Sequence, residues 1–161
     1  MNTSTISIAG LNKEKAGQLA GELNKLLANY QVFYQNVRGF HWNIRGEKFF
    51  ELHVKFEELY DDLLLKIDEI AERIVTLGAV PVHTWSDYLN LSSIGEAKDI
   101  TRGEEGAGKI LESLLVLLDM QRKILDLSAD AGDEGTNALM SDYIREQEKL
   151  AWMYDAFLHN E

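Results

Sequence analysis

Residues 41–72, HWNIRGEKFFELHVKFEELYDDLLLKIDEIAE, place two histidines and a set of carboxylates on what reads as a short turn followed by one long helix. Apolar residues at Phe49, Leu52, Phe56, Leu59, Leu63, Ile67, Ile70, Ile74 and Leu77 recur in steps of three and four, the mark of an amphipathic helix. Beside that stripe lie His53 and Glu57, then Asp68 and Glu72. Each pair is spaced i,i+4 and can present two ligands to one point. About three helical turns separate Glu57 from Asp68, so both pairs look out from nearly the same side, yet the axial gap is roughly 16 Å. One metal ion cannot be reached from both.

A two-fold axis removes the difficulty. If this helix crosses a second copy antiparallel near Tyr60 to Leu64, then His53 and Glu57 of one chain come level with Asp68 and Glu72 of the other. An isologous dimer then holds two such sites. His41 joins from beyond the Asn43-Ile44-Arg45-Gly46 turn. Two imidazoles and three carboxylates form a hard-to-borderline donor set suited to iron.

The segment resembles the Dps mini-ferritins of the ferritin-like superfamily. The likeness rests on the His41-Trp42 pair, on His53 twelve residues later, on Asp68-x-x-x-Glu72, and on the run Ala71-Glu72-Arg73-Ile74-Val75-Thr76-Leu77-Gly78. It extends from about residue 12 to residue 158 and includes Leu150-Ala151-Trp152-Met153. Many members carry aspartate where this chain has Glu57; the glutamate is one methylene longer and can ligate directly or through water. The resemblance implies a ferroxidase that oxidises Fe(II) with hydrogen peroxide, or more slowly with dioxygen, and stores ferric oxide in a hollow dodecamer. It also implies acidic iron-entry pores, for which Asp133 and Asp142 are the candidates, while Ala138 stands where an acidic residue is common. The plainer reading puts Asp133 in a turn and Asp142 on an exposed helix face.

The bulk of the chain agrees with one all-α domain. At 161 residues and 45% hydrophobic it can bury a real core, and it is short for two domains. No signal peptide and no membrane-length apolar run are read in it, so a soluble protein is expected. The absence of cysteine excludes disulfides and thiolate chemistry and is compatible with the cytoplasm. Sixteen basic against 27 acidic residues, a formal charge of −11, argue against a nucleic-acid surface and for cations as partners. Residues 1–11, MNTSTISIAGL, contain no Lys or Arg and read as a flexible arm, without the lysine-rich tail that DNA-condensing family members use.

From Asn12 an apolar pattern running to Phe40 predicts a long first helix, in which Gly17 and Gly21 either allow close packing or soften that end. After the second helix Pro81, the only proline, stops the pattern, and about 24 residues pass before the next long helix, unusual for an empty loop. Thr84-Trp85-Ser86-Asp87 opens a short helix there, whose apolar side either meets an interface or packs on its own bundle. Thr101-x-x-Glu104 is expected to cap the third long helix, with Gly103, Gly106 and Gly108 weakening its first turns, and a fourth follows the break at Gly132-Asp133-Glu134-Gly135. Four long helices with one long crossover carrying a short extra helix describe a ferritin-like bundle over residues 12–161. None of the four histidines has a glutamate three residues before it, which argues against a di-iron centre inside one bundle. Trp42 is expected to pack beside the site; His83 and His159 have no ligand-spaced neighbours. A DNA-compacting protein and a purely structural bundle are the competing readings.

Overall fold

In the computed structural model, which describes residues 6–159, these residues form five helices and no β-strand. The helices are α1 Lys13–Asn43, α2 Phe49–Thr76, α3 Trp85–Leu91, α4 Gly103–Ala131 and α5 Glu134–Leu158. The all-α four-helix bundle with a short helix in its crossover is therefore the observed architecture. Of the expected N-terminal arm, residues 1–5 lie outside the described residues. From Ile6 to Asn12 the chain makes a tight turn, with the Ser7 N–H donating to the Leu11 carbonyl at 2.7 Å. The Asn12 side-chain oxygen then caps α1, accepting from Glu14 N–H at 3.0 Å and Lys15 N–H at 3.1 Å.

Two antiparallel hairpins, α1–α2 and α4–α5, pack face to face. Leu23, Leu26, Phe33 and Phe40 of α1 meet Phe56, Leu63 and Ile70 of α2 and Ile110, Leu114 and Leu117 of α4, all buried. Each such side chain contributes about 1.5–3 kcal/mol relative to exposure. Residue 77 to residue 102 runs the length of the bundle beside α1. Three asparagines on α1 guide it in order. Asn24 accepts from Val82 N–H at 2.8 Å and donates to the Val80 carbonyl at 3.1 Å. Asn29 accepts from Ser93 N–H at 2.9 Å and Ile94 N–H at 3.0 Å. Asn36 accepts from Ala97 N–H and donates to the Gly95 carbonyl, both at 2.9 Å. Finally the Arg45 N–H donates to the Thr101 carbonyl at 2.9 Å, and Arg45 bridges Arg102 in the parallel sense. Consequently α4 starts at the same end of the bundle as α2.

That last contact corrects the expected cap. Thr101 is held by the α1–α2 turn, and α4 begins after Arg102 with no side-chain cap. Nor are the first turns of α4 weak. A Cβ on Gly103 would collide with the Leu52 side chain, and one on Gly106 would sit 3.4 Å from the Phe56 ring, so these glycines let α4 lie close on α2. Gly17 and Gly21 meet no described atom within 4 Å, so close packing within the chain does not account for them. Thr84 caps α3 as expected, accepting from Asp87 N–H at 3.4 Å. No residue of α3 is buried, and Trp85 is 65% exposed. Tyr88 packs half-buried against the bundle core, while Trp85, Leu89 and Leu91 stay exposed, so its own bundle covers the apolar side only in part.

Three neutral polar side chains form a closed ring of hydrogen bonds in the middle of the bundle. The Tyr30 hydroxyl donates to Gln121 at 2.6 Å, Gln121 donates to Gln147 at 2.9 Å, and Gln147 donates back to the Tyr30 oxygen at 2.6 Å. Burial pushes the Tyr30 phenol well above its ordinary pKa, which keeps the ring uncharged. Among the described residues no helix is long and apolar enough to cross a membrane.

Candidate metal centre

His41 lies in the last turn of α1 and His53 in the second turn of α2, brought together by the short turn whose Ile44 is buried. Their rings stack at 3.7 Å with 13° between planes. Each Nδ1 reaches the other residue's backbone carbonyl, at 2.6 Å from His41 to His53 and at 2.8 Å in return. A carbonyl only accepts, so in both rings Nδ1 carries the proton and Nε2 of the neutral imidazole keeps its lone pair. The local cause is plain: the His41 carbonyl is one of the four that a helix leaves unpaired at its C-terminus. Phe49 stacks on the outer side of His53 at 4.9 Å. The pair is thus fixed in tautomer and orientation within the single chain.

Glu57, Asp68 and Glu72 are exposed on α2, and among the described residues none of the three takes part in an ion pair. Within one chain, no three His, Asp or Glu side chains among the described residues converge closely enough to hold a metal ion. His41 and His53 are brought together; Asp68 and Glu72 stay apart from them along the helix.

Tyr60, read in the sequence only as marking where two copies cross, stands at the site itself, for which its i,i+3 spacing from Glu57 was a usable signal. Its ring stands edge-on to His41 at 5.3 Å and to Tyr34 at 6.1 Å, and its hydroxyl lies 3.4 Å from the Glu57 carboxylate. Partial burial and the charges of Glu57 and Asp61 raise its pKa, so it remains a neutral donor. Trp42 is 55% exposed and packs under the Arg38 guanidinium at 4.7 Å, beside the histidines rather than between them.

The candidate pore residues separate. Asp133 is only 3% exposed. Its carboxylate caps α5 through Thr136 N–H at 3.0 Å, accepts from the Thr136 hydroxyl, and pairs with Arg73 of α2 at 2.5 Å. A carboxylate so engaged holds the α4–α5 corner from within the chain. Asp142 is exposed and pairs with Arg145 at 3.0 Å. Asp130 and Glu134, not singled out in the sequence, are the exposed acidic groups flanking the corner.

Fold and site together define a four-helix bundle with an open carboxylate–histidine face. The family model for the ferritin-like domain matches residues 20–161. The chain is 54% identical to the Dps protein of Vibrio cholerae O1, "a member of a broad superfamily of ferritin-like diiron-carboxylate proteins", with a TM-score of 0.96 over 99% of this chain and 100% of that one. It is 34% identical to Dps from Bacillus brevis, with a TM-score of 0.88 over 91% and 98% of the two chains. It is also 40% identical to the DNA protection during starvation protein of Porphyromonas gingivalis, over 94% of this chain and 96% of the relative. The chain belongs to the Dps family of ferritin-like proteins.

Proposed function

We propose that this protein is an iron-storing ferroxidase of the cytoplasm that oxidises Fe(II) with hydrogen peroxide, or more slowly with dioxygen, at a site shared between two chains. The observation that carries the reading is the reciprocal histidine pair. The two imidazoles that close the α1–α2 turn are locked with Nε2 available, and they stand beside Glu57 on a face that one chain leaves short of ligands. Asp68 and Glu72 of a second copy, lying antiparallel across Tyr60 to Leu64, complete the set.

The donors suit the substrate. The histidines and Asp68 each hold one ion, Glu72 bridges an iron pair, and Glu57 binds directly or through water. The negative ligands, positioned in advance, favour Fe(III) over Fe(II). Each Fe(II) supplies one electron; peroxide takes two, and with two protons leaves as two waters. Paired delivery avoids the hydroxyl radical, which is the protective element of the reading. Six such dimers closing a hollow dodecamer would keep the ferric oxide from solution, with Asp142 and the exposed carboxylates of the α4–α5 corner on the iron-entry route. Protection of DNA then comes from removal of iron and peroxide rather than from contact.

The test is anaerobic loading with Fe(II) followed by limiting peroxide, with ferric absorbance as the readout. Rapid oxidation of an iron pair per peroxide is expected in the wild type, with at least a tenfold slower rate in Asp68→Ala. Equal slow oxidation in both proteins would overturn the assignment.

A further inference from the structure

Paired delivery of electrons needs two Fe(II) at one site. When only one is there, iron gives peroxide one electron and the second has to come from elsewhere. Three oxidisable rings lie near the histidine pair, and their surroundings differ. The Tyr60 ring stands edge-on to His41 at 5.3 Å, and the Tyr34 ring adjoins Tyr60 at 6.1 Å. The Tyr60 hydroxyl faces the Glu57 carboxylate at 3.4 Å, a base within reach of its proton. The negative charges of Glu57 and Asp61 act on Tyr60 more strongly than the positive charge of Arg38, and negative surroundings ease the loss of an electron. Tyr34 and Trp42 are placed the opposite way. The Arg38 guanidinium, midway between them on α1, lies 5.3 Å from the Tyr34 ring centre and 4.7 Å from that of Trp42. A cation on a ring face is held by the ring's electrons and opposes the positive charge that oxidation would leave, so both rings are harder to oxidise.

We propose that Tyr60 is the reserve electron donor of the metal site: when a single Fe(II) meets hydrogen peroxide, Tyr60 supplies the second electron, and the oxidising equivalent stops there instead of passing to Trp42. The O–O bond of peroxide breaks, Fe(II) becomes Fe(III), and the Tyr60 phenol becomes a neutral phenoxyl radical. The phenolic proton leaves by way of the Glu57 carboxylate, and with one further proton from solvent the two oxygens of peroxide depart as two waters. A later Fe(II) returns one electron, with a proton from solvent, and restores the phenol. No hydroxyl radical is released, so the protective chemistry survives incomplete loading. The position of the iron rests on the proposed function; the ranking of the three rings rests on the geometry of the single chain.

The experiment loads the full chain anaerobically with one Fe(II) per His41–His53 pair, mixes it with excess hydrogen peroxide and freezes it within seconds for electron paramagnetic resonance, with ferric absorbance followed on the same mixture. The expected signal is a phenoxyl radical, identified by its narrowing in protein grown with ring-deuterated tyrosine, lost in Tyr60→Phe and kept in Trp42→Phe. A nitroso spin trap followed by tryptic digestion locates the radical in the wild type without any variant. Tyr60 is the only tyrosine or tryptophan between Lys55 and Lys66, and Tyr34 and Trp42 fall in other peptides. Rapid ferric formation with a tryptophan signal, with the trap on a peptide other than 56–66, or with no protein radical would overturn this proposal and leave the ferroxidase standing. Ferric formation no faster than in Asp68→Ala would overturn both.

Discussion

At the scale of single residues, what a side chain does is set by which of its atoms are already taken. His41 and His53 have Nδ1 committed to backbone carbonyls, which leaves one defined nitrogen on each ring for chemistry. Asp133 shows the opposite outcome: its carboxylate is committed to Arg73 and to the first turn of α5. Both partners of that pair lie at a junction between α2 and α5, and Arg73 keeps some solvent contact, with 21% of its side chain exposed. Asp133→Ala removes an N-cap and leaves the guanidinium unpaired at once. The expected cost is about 2–3 kcal/mol, a cap of about 1 kcal/mol plus a partly screened pair. Urea unfolding monitored by circular dichroism measures it. Asp142→Ala, which touches only an exposed pair with Arg145, should leave the midpoint within about 0.5 kcal/mol of wild type. A loss for Asp133→Ala no larger than that for Asp142→Ala would mean that Asp133 does not hold this corner.

At the scale of helices, intrinsic propensity and packing act in opposite directions on the glycines of α4. Glycine costs a helix interior about 1 kcal/mol relative to alanine. At Gly108, where no described atom lies within 4 Å of an added Cβ, Gly108→Ala should stabilise by up to about 1 kcal/mol. At Gly103 the added Cβ meets a terminal methyl of Leu52, which must turn aside, so Gly103→Ala should gain less than Gly108→Ala, by about 1 kcal/mol. Paired thermal melts decide it, and an equal gain in both variants would mean that Leu52 does not constrain Gly103. The crossover follows the same logic. Its path is held by Asn24, Asn29 and Asn36, whose side chains answer backbone groups that would otherwise be buried without partners. In the sequence those asparagines are merely poor helix formers within an apolar pattern; only the segment they hold, far along the chain, reveals their use.

At the scale of the molecule, charge and incomplete surfaces point outward. A formal charge of −11 disfavours phosphate backbones at every distance, most strongly where salt does not screen it. No retardation of duplex DNA is therefore expected in a gel shift at low salt, and binding that weakens steeply with added salt would contradict this. Exposed apolar side chains at Leu64, Val75, Trp85 and Leu89 lie on α2 and α3. They belong with the two-chain reading of the site, in which α2 meets a second α2, and α3 was the element whose apolar side the sequence left between an interface and its own bundle.

Much of this is legible in the chain itself. Period fixed helix number and approximate ends, because burial of one face repeats every three to four residues whatever the partner is. Spacing alone separated His53 and Glu57 from Asp68 and Glu72 by more than one ion can span, since rise per residue is a constant of the helix. The His41-Trp42 and Asp68-x-x-x-Glu72 signatures carried the family. Tertiary structure alone decided the tautomers of the histidine pair, the inward turn of Asp133, the start of α4 beyond Thr101 and the ring contacts of Tyr60. Each of these depends on a partner far away in sequence: His53 for His41, Arg73 for Asp133, Arg45 for Thr101, Tyr34 for Tyr60. Local pattern reports which face of a helix is buried; which atom a buried polar group meets there is settled only when the helices are packed.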